Sequence, residues 1–252
     1  MPRIGGDWGA CDPANPKNRR RRCSLLVQRV AKPGEVTNVL VDTSPDLREQ
    51  ALDAGIGAVD GVLFTHPHAD HIHGIDDLRG FVMNMQRRVD IYADQPTLDR
   101  LRGGFGYCFE TPPGSDYPPI ANAHPIAAGK PVTIGGKGGP LTALPISQVH
   151  GSIASLAFRI GGLAYSPDAS GFNPEAEELL AGLDVWILDA LRPRPHPSHL
   201  SVAQALEWIE RVKPKRAILT HMHVDLDYET LRRELPPNVE PAYDGMVIEL
   251  PA

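Results

Sequence analysis

The segment Thr65-His66-Pro67-His68-Ala69-Asp70-His71 follows directly after the short apolar run of residues 62–64. A β-branched apolar run predicts a buried strand, and the turn after a strand can direct alternate side chains into one cavity. His66 and His68 can therefore converge on one cation, while Asp70 and His71, at the start of the next helix, can reach a second. Imidazole and carboxylate are the ligands that divalent transition ions prefer. The segment predicts a metal site at the edge of a sheet.

Ligand-type residues also follow three later predicted strands. His150 comes after the strand predicted over residues 141–146, in a turn, Asp168 after residues 163–166, and His221 after residues 217–219. Each alone is more often a capped turn residue or a hydrogen-bonded histidine than a ligand. Their succession at strand ends makes all three candidate ligands.

Strands and helices alternate along the rest of the chain. Ser44 with Pro45, Asn173 with Pro174, and Ser201 with Gln204 predict helix starts. Strands outnumber helices and mix hairpins with crossovers, which predicts a layered α/β or α+β sandwich and a single domain over residues 1–252. The remaining strands are predicted over residues 23–30, 36–41, 89–92, 156–160, 185–188 and 246–250, and residues 103–131 are expected to form a long irregular loop.

Composition excludes several classes of protein. The 252 residues are 42% hydrophobic with a net charge of −6, which excludes a disordered chain and disfavours a general nucleic-acid binder. No apolar run is long enough to span a membrane. Three widely spaced cysteines exclude a disulfide framework and indicate a reducing compartment, so we expect a cytoplasmic protein.

The ordered set HxHxDH, His, Asp, His resembles the metallo-β-lactamase superfamily. That resemblance implies a four-layer αβ/βα sandwich of the α/β (α+β) class, with a dinuclear metal site at the sheet edge. It further implies that the first metal is held by three histidines, that the second is held by an aspartate and two histidines, and that one aspartate bridges both. The implied sets are His66, His68 and His150 for the first metal, Asp70, His71 and His221 for the second, and Asp168 as the bridge.

Within that superfamily the chain is most similar to the phosphodiesterase branch, which comprises PhnP-like phosphoribosyl cyclic phosphodiesterases and, more distantly, tRNase Z. The similarity rests on short segments spread along the chain: 6–9, 22–24, 40–42, 65–74, 188–189, 199–201 and 244–246. The first strand of the family pattern has no counterpart near Met1, so we expect an edge strand of the sheet to be missing. The cysteine cluster that holds a structural zinc in a relative is also absent from the sequence.

His199 matches the catalytic histidine of this branch and is the candidate general acid or phosphate clamp. Asp70 is the second expected catalytic residue, and Arg22 is a candidate substrate contact together with His199. Of the other polar residues near the motifs, Asp42 and Asp189 are weak candidates for orienting the ligand imidazoles. His196 and His223 fit an ordinary surface role better, and His73 fits packing or support of a ligand.

The resulting interpretation is a metal-dependent phosphodiesterase that uses a metal-bridged hydroxide on a small phosphodiester, such as a cyclic nucleotide or phosphoribosyl compound. The expected cofactors are two divalent ions, zinc first, with manganese or iron as options. The expected partner is a phosphodiester or nucleotide substrate, with a homodimer as one option and no membrane. Alternatives are a tRNase Z-like nuclease, a thioester or lactone hydrolase on the same scaffold, and a non-catalytic metal-binding protein.

Overall fold

A computed structural model describes residues 2–250. Within that range the chain forms two compact units: residues 22–145, called the first unit, and residues 2–21 with 146–250, called the second unit. Both combine helices with a β-sheet, so the predicted mixed α/β class is confirmed. In the part of the chain that the structure describes, no helix is both long and apolar enough to cross a bilayer.

The first unit is built on a five-stranded sheet in the order β1-β2-β3-β4-β5. Strands β1 and β2 form an antiparallel hairpin, and β2 to β5 run parallel. A short antiparallel pair joins β6 to the first residues of β7. The strands are Leu25–Lys32, Glu35–Val41, Gly61–Leu63, Val89–Ala93, Ala121–Pro125, Val132–Ile134 and, for β7, Leu141–His150; the helices α1 to α4 are Leu47–Asp53, Ala69–Ile72, Leu78–Met85 and Gln95–Phe105.

The core of the first unit surrounds its shortest parallel strand. Val62, Leu63 and Phe64 have no exposed surface, because the strand is covered on both sides, as expected for a parallel strand. The apolar residues of α3 and α4 pack into the same cluster. This packing fixes the point where the strand ends and the histidine segment begins.

The second unit contains strands β8 to β12 together with the end of β7. These strands lie in one sheet, in the order β12-β11-β10-β9-β8-β7. Strands β9 to β12 are all parallel, so their carboxyl ends lie at one edge. Trp186, on β10, is fully buried at the centre of the sheet. The strands are Ile153–Ile160, Leu163–Ser166, Val185–Asp189, Arg216–Thr220 and Val239–Pro241, and the helices α5 to α7 are Pro174–Leu179, Val202–Val212 and Tyr228–Glu234.

Two of the three predicted helix starts are confirmed. Asn173 accepts a hydrogen bond from Ala176 N, and Ser201 with Gln204 forms a complete capping box. The Ser44 prediction was wrong, because α1 begins after Asp46 and the Ser44 hydroxyl instead accepts from the Asp46 amide in a turn before the helix.

Several strand predictions needed correction. Residues 246–250 form no strand, although their composition is apolar. Strands β5, β6 and β12 were missed because each is short and contains or adjoins proline. The predicted loop 103–131 contains the end of α4, a 3₁₀ turn and β5, and Cys108 within it is fully buried. Cys108, Ile120 and Ala121 of this stretch belong to the first unit's core, whereas most of its other residues are exposed.

Gly74 marks a close approach of two backbone segments in the first unit. Its amide donates to Thr43 O, and a Cβ added at Gly74 would lie 2.0 Å from the carbonyl oxygen of Ser44. The φ of Gly74 is −87°, so the requirement is for space and not for unusual backbone geometry. The contact holds the residues after β2 against the histidine segment.

We expect Gly74→Ala to destabilise the protein by about 1–3 kcal/mol, because the backbone must move to admit the methyl group. Gly80→Ala is the matched control, since Gly80 lies inside α3 and its Cβ would meet nothing within 4 Å. That control should be neutral or slightly stabilising, as alanine favours helix. Urea unfolding of both variants measures the difference, and equal stability would contradict the close-approach argument.

Candidate metal centre

The histidine segment forms a compact cluster in the first unit. It leaves β3 through the buried Phe64 and Thr65 and enters α2 at Ala69. The His66 ring centroid lies 4.6 Å from that of His68 and 4.3 Å from that of His71. His66 and His71 are buried, whereas His68 is exposed.

A buried carboxylate, Asp42, supports this cluster. It accepts hydrogen bonds from the Thr65 amide (2.8 Å), the Thr65 hydroxyl (2.8 Å) and Nδ1 of His71 (2.7 Å). Complete burial raises the pKa of the Asp42 carboxyl, and the facing His71 ring and the Thr65 donors oppose that rise. Asp42 has a φ of 65°, a strained conformation that aims its side chain at these donors.

These hydrogen bonds determine which imidazole nitrogens can bind an ion. The Thr65 hydroxyl gives its one proton to Asp42, so its oxygen accepts from Nδ1–H of His66 at 2.9 Å. His71 likewise uses Nδ1–H on Asp42. Both rings therefore present the lone pair of Nε2, and the Nε2 of His71 lies 3.7 Å from the Asp70 carboxylate. Such support through Nδ1 is typical of histidines that bind metal.

The second unit gathers three histidines around Asp168. Asp168 follows β9, and its carboxylate oxygens lie 3.5 Å from Nε2 of His150, 3.4 Å from Nε2 of His221 and 3.9 Å from Nε2 of His199. The His199 ring is stacked on that of His221 at 4.6 Å. Asp168, His199 and His221 are arranged closely enough to hold one ion.

The imidazoles of the second unit are also held by hydrogen bonds through Nδ1. His150 donates to the backbone carbonyl of Ser198 (2.6 Å), and His199 donates to the Asp189 carboxylate (2.8 Å). Asp189 is fully buried, which raises the pKa of its carboxyl, and its Oδ2 also accepts from the Ala169 amide. The Nε2 atoms of both rings thus face Asp168.

The backbone around Asp168 is fixed by two buried polar side chains. Gln148 and Ser155 both donate to the Asp168 carbonyl, at 3.0 Å and 2.7 Å. His221 has a φ of 60°, which only a locally constrained turn maintains in a non-glycine residue. The candidate ligands are therefore positioned by protein groups.

The donor set fits a divalent metal. Two ligands at about 2.1 Å from a tetrahedral zinc ion lie about 3.4 Å apart, and the gaps between Asp168 and the Nε2 atoms of His150 and His221 match this separation. They are also longer than hydrogen bonds. A histidine and carboxylate cluster for a divalent ion is therefore present.

The structure places the other predicted residues as follows. His150 is the last residue of β7 and not part of a turn, because the strand extends four residues beyond its predicted end. Arg22 pairs with Asp46 (3.3 Å), and its role as a substrate contact stays a prediction. His73 contacts Phe105, and His223 contacts Arg3 and Asp225, in line with the ordinary roles expected of them.

Several supporting groups were missed by the sequence analysis, including Gln148 and Ser155 beside Asp168. Thr65 was quoted as part of the motif but given no role, and the carbonyl of Ser198 was not considered. A hydroxyl beside a metal-binding motif could have been proposed as a ring-orienting group. The carbonyl of Ser198 has no signal in the sequence, since every residue carries one.

Solved structures and characterised proteins show clear similarity to the chain. A structure described as a new diphosphatase from the PhnP family has 34% identity and a TM-score of 0.85, covering 98% of this chain and 90% of that one. An octanoyltransferase of Porphyromonas gingivalis is 33% identical over 251 residues, which is 98% of this chain and 48% of that protein. An anti-Pycsar protein of Bacillus phage vB_BsuM-Goe3 is 32% identical over 80 residues, covering 28% of this chain and 30% of that protein.

The chain spans about half the length of the octanoyltransferase, so the activity of that whole protein is not transferred to it. The family model described as a beta-lactamase superfamily domain matches residues 37–222. That range includes the histidine segment, Asp168, His199 and His221. The predicted superfamily is thereby confirmed, and with it the hydrolase class. The chain belongs to the beta-lactamase superfamily.

Proposed function

We propose that this protein is a metal-dependent phosphodiesterase that hydrolyses a small phosphodiester, such as a cyclic nucleotide or a phosphoribosyl compound. The observation that carries the proposal is the contact chain Asp189–His199–Asp168 in the second unit. It supplies an oriented imidazole, which is not needed as a ligand, directly beside a candidate metal-binding carboxylate. A thioester expels a thiolate, which leaves without protonation, so a thioester hydrolase has no need of that imidazole as an acid.

The proposed metal ligands are the seven residues of the family pattern. His66, His68 and His150 would hold one ion, Asp70, His71 and His221 would hold the other, and Asp168 would bridge them. The Nε2 orientation described above supports this assignment for the buried histidines. Zinc is the first expected ion, and manganese or iron suit the same donors.

When bound, two such ions activate water at neutral pH and offset the negative charge of the phosphate. The protein's own residues then have distinct tasks. Asp189 holds Nδ1–H of His199 and favours the protonated ring, so that Nε2–H can donate to the departing alkoxide. Thr65 and Asp42 keep the rings of His66 and His71 from rotating.

A second candidate function is hydrolysis of a diphosphate. It is favoured by one observation, the 34% identity over nearly the whole chain to a diphosphatase of the PhnP family. Both reactions break a P–O bond, although a phosphate leaving group needs far less protonation than an alkoxide. Parallel assays of a cyclic phosphodiester and of a nucleoside diphosphate ester, with the metal content of the protein known, separate the two candidates.

Metal content tests the ligand assignment. Elemental analysis of the purified protein should give about two divalent ions per chain, because seven ligands are more than one ion needs. Asp168→Ala should lose metal and activity more severely than any single histidine variant, since a bridging carboxylate serves both ions. Asp225→Ala is the matched control, as this carboxylate contacts only His223 among the ion pairs of the described chain. Full activity with one ion per chain, or normal activity of Asp168→Ala, would refute the dinuclear assignment.

His199→Ala tests the proposed general acid. The variant should retain its metal ions and fold, and it should lose about 10²- to 10⁴-fold in rate on a cyclic or alkyl phosphodiester. The loss should be much smaller on a nitrophenyl ester, because a phenolate leaves without protonation. Steady-state rates on both substrates, with His223→Ala as control, measure the difference. Equal losses on both substrates would indicate phosphate binding, and no loss on either would remove His199 from the site.

A further inference from the structure

The loop of residues 191–200 carries a second imidazole beside His199. Its two ends are joined by the hydrogen bond from Leu191 N to Leu200 O. Arg192 braces it from within, donating to the carbonyls of Arg194 (3.2 Å) and Pro195 (2.8 Å). Prolines at 193, 195 and 197 restrict its backbone further. The loop therefore presents its histidines in a fixed arrangement.

His196 is the second imidazole of this loop. Its ring centroid lies 5.2 Å from that of His199, which in turn stacks on His221 at 4.6 Å. The His196 side chain is partly exposed, so a ligand can reach it. Nothing in the proposed mechanism uses this ring, although it adjoins the residue expected to protonate the leaving group.

The hydrogen bonds of His196 determine where its proton lies. The backbone amide of Ser198 donates to Nδ1 of His196 at 3.3 Å, and an amide cannot act as an acceptor. The Ser198 hydroxyl lies 3.2 Å from the same nitrogen and can also donate to it. With Nδ1 as the acceptor, the proton of the neutral ring lies on Nε2. Burial, together with His199, Arg192 and His221, lowers the pKa of His196 and so favours the neutral ring.

A neutral ring with a fixed Nε2–H donates a hydrogen bond without supplying a proton to the reaction. The proposed function places His199 at the leaving oxygen. The ring of His196 packs beside the ring of His199. We propose that His196 is a specificity-determining residue whose Nε2–H binds an oxygen on the leaving group of the substrate. The preferred leaving group is then a polyhydroxylated alcohol, such as a sugar, and not a plain alkyl alcohol. This inference rests on the proposed function.

Two substrates isolate this contact from the role of His199. The ethyl ester and the glyceryl ester of the same nucleoside phosphate both leave as alkoxides that require protonation, but only the glyceryl group carries further oxygens. His199→Ala should impair both esters alike. His196→Ala should lower kcat/KM about tenfold on the glyceryl ester, as expected for loss of one hydrogen bond, and leave the ethyl ester nearly unchanged. His196→Gln, which keeps a donor group, should recover part of the loss.

The tautomer is measured independently of activity. Nitrogen-15 NMR of the protein at pH 7 should show His196 with an unprotonated Nδ1 and a protonated Nε2, and His223→Ala serves as the control for assignment and for kinetics. A proton on Nδ1, or equal effects of His196→Ala on both esters, or no effect on either, would overturn the inference. If the wild-type protein with its metals cleaves neither ester and no cyclic phosphodiester, the proposed function fails and this role for His196 fails with it. If it cleaves a cyclic phosphodiester but neither ester, only the inference fails. If it cleaves both esters and His196→Ala is normal, only the inference fails.

Discussion

Each buried imidazole of the candidate centre is held through Nδ1 by an oxygen atom of its own unit, and the chemistry of the site depends on that constraint. An imidazole has two nitrogens, and binding at one fixes the proton state of the other. Asp42, Thr65, Asp189 and the carbonyl of Ser198 perform this task. Without them the rings could rotate or change tautomer, and the Nε2 lone pairs would not face the carboxylates.

The groups that hold the rings in place lower the stability of the fold. Asp42 and Asp189 are fully buried carboxylates, and burial of a charge is unfavourable unless hydrogen bonds compensate for lost water. Both therefore accept from backbone amides as well as from histidine. Asp42 and His221 also adopt a left-handed backbone conformation that is unfavourable for residues with a Cβ. Burial of the surrounding apolar strands, such as residues 62–64 and β10, contributes the favourable free energy that offsets these unfavourable charges and backbone conformations.

The sequence predicted those parts of the fold that depend on local chemistry. The histidine segment, the strand ends before Asp168 and His221, and the capping box at Ser201 were all legible, because each depends on neighbouring residues. Strands β5, β6 and β12 were not, since their stability comes from pairing with distant strands. Likewise, the bond from His150 to Ser198 joins residues 48 positions apart and leaves no local pattern.

The hydrogen bonds to Nδ1 are made entirely by protein atoms. Protein atoms thus orient the rings of His66, His71, His150 and His199 whichever ion they bind, unlike in small zinc modules that fold only around their metal. Such a scaffold can exchange one ion for another without refolding. The supply of ions, and not the protein's own selection, would then decide which element occupies the centre, so the same chain isolated from different growth media would differ in metal content while keeping one structure.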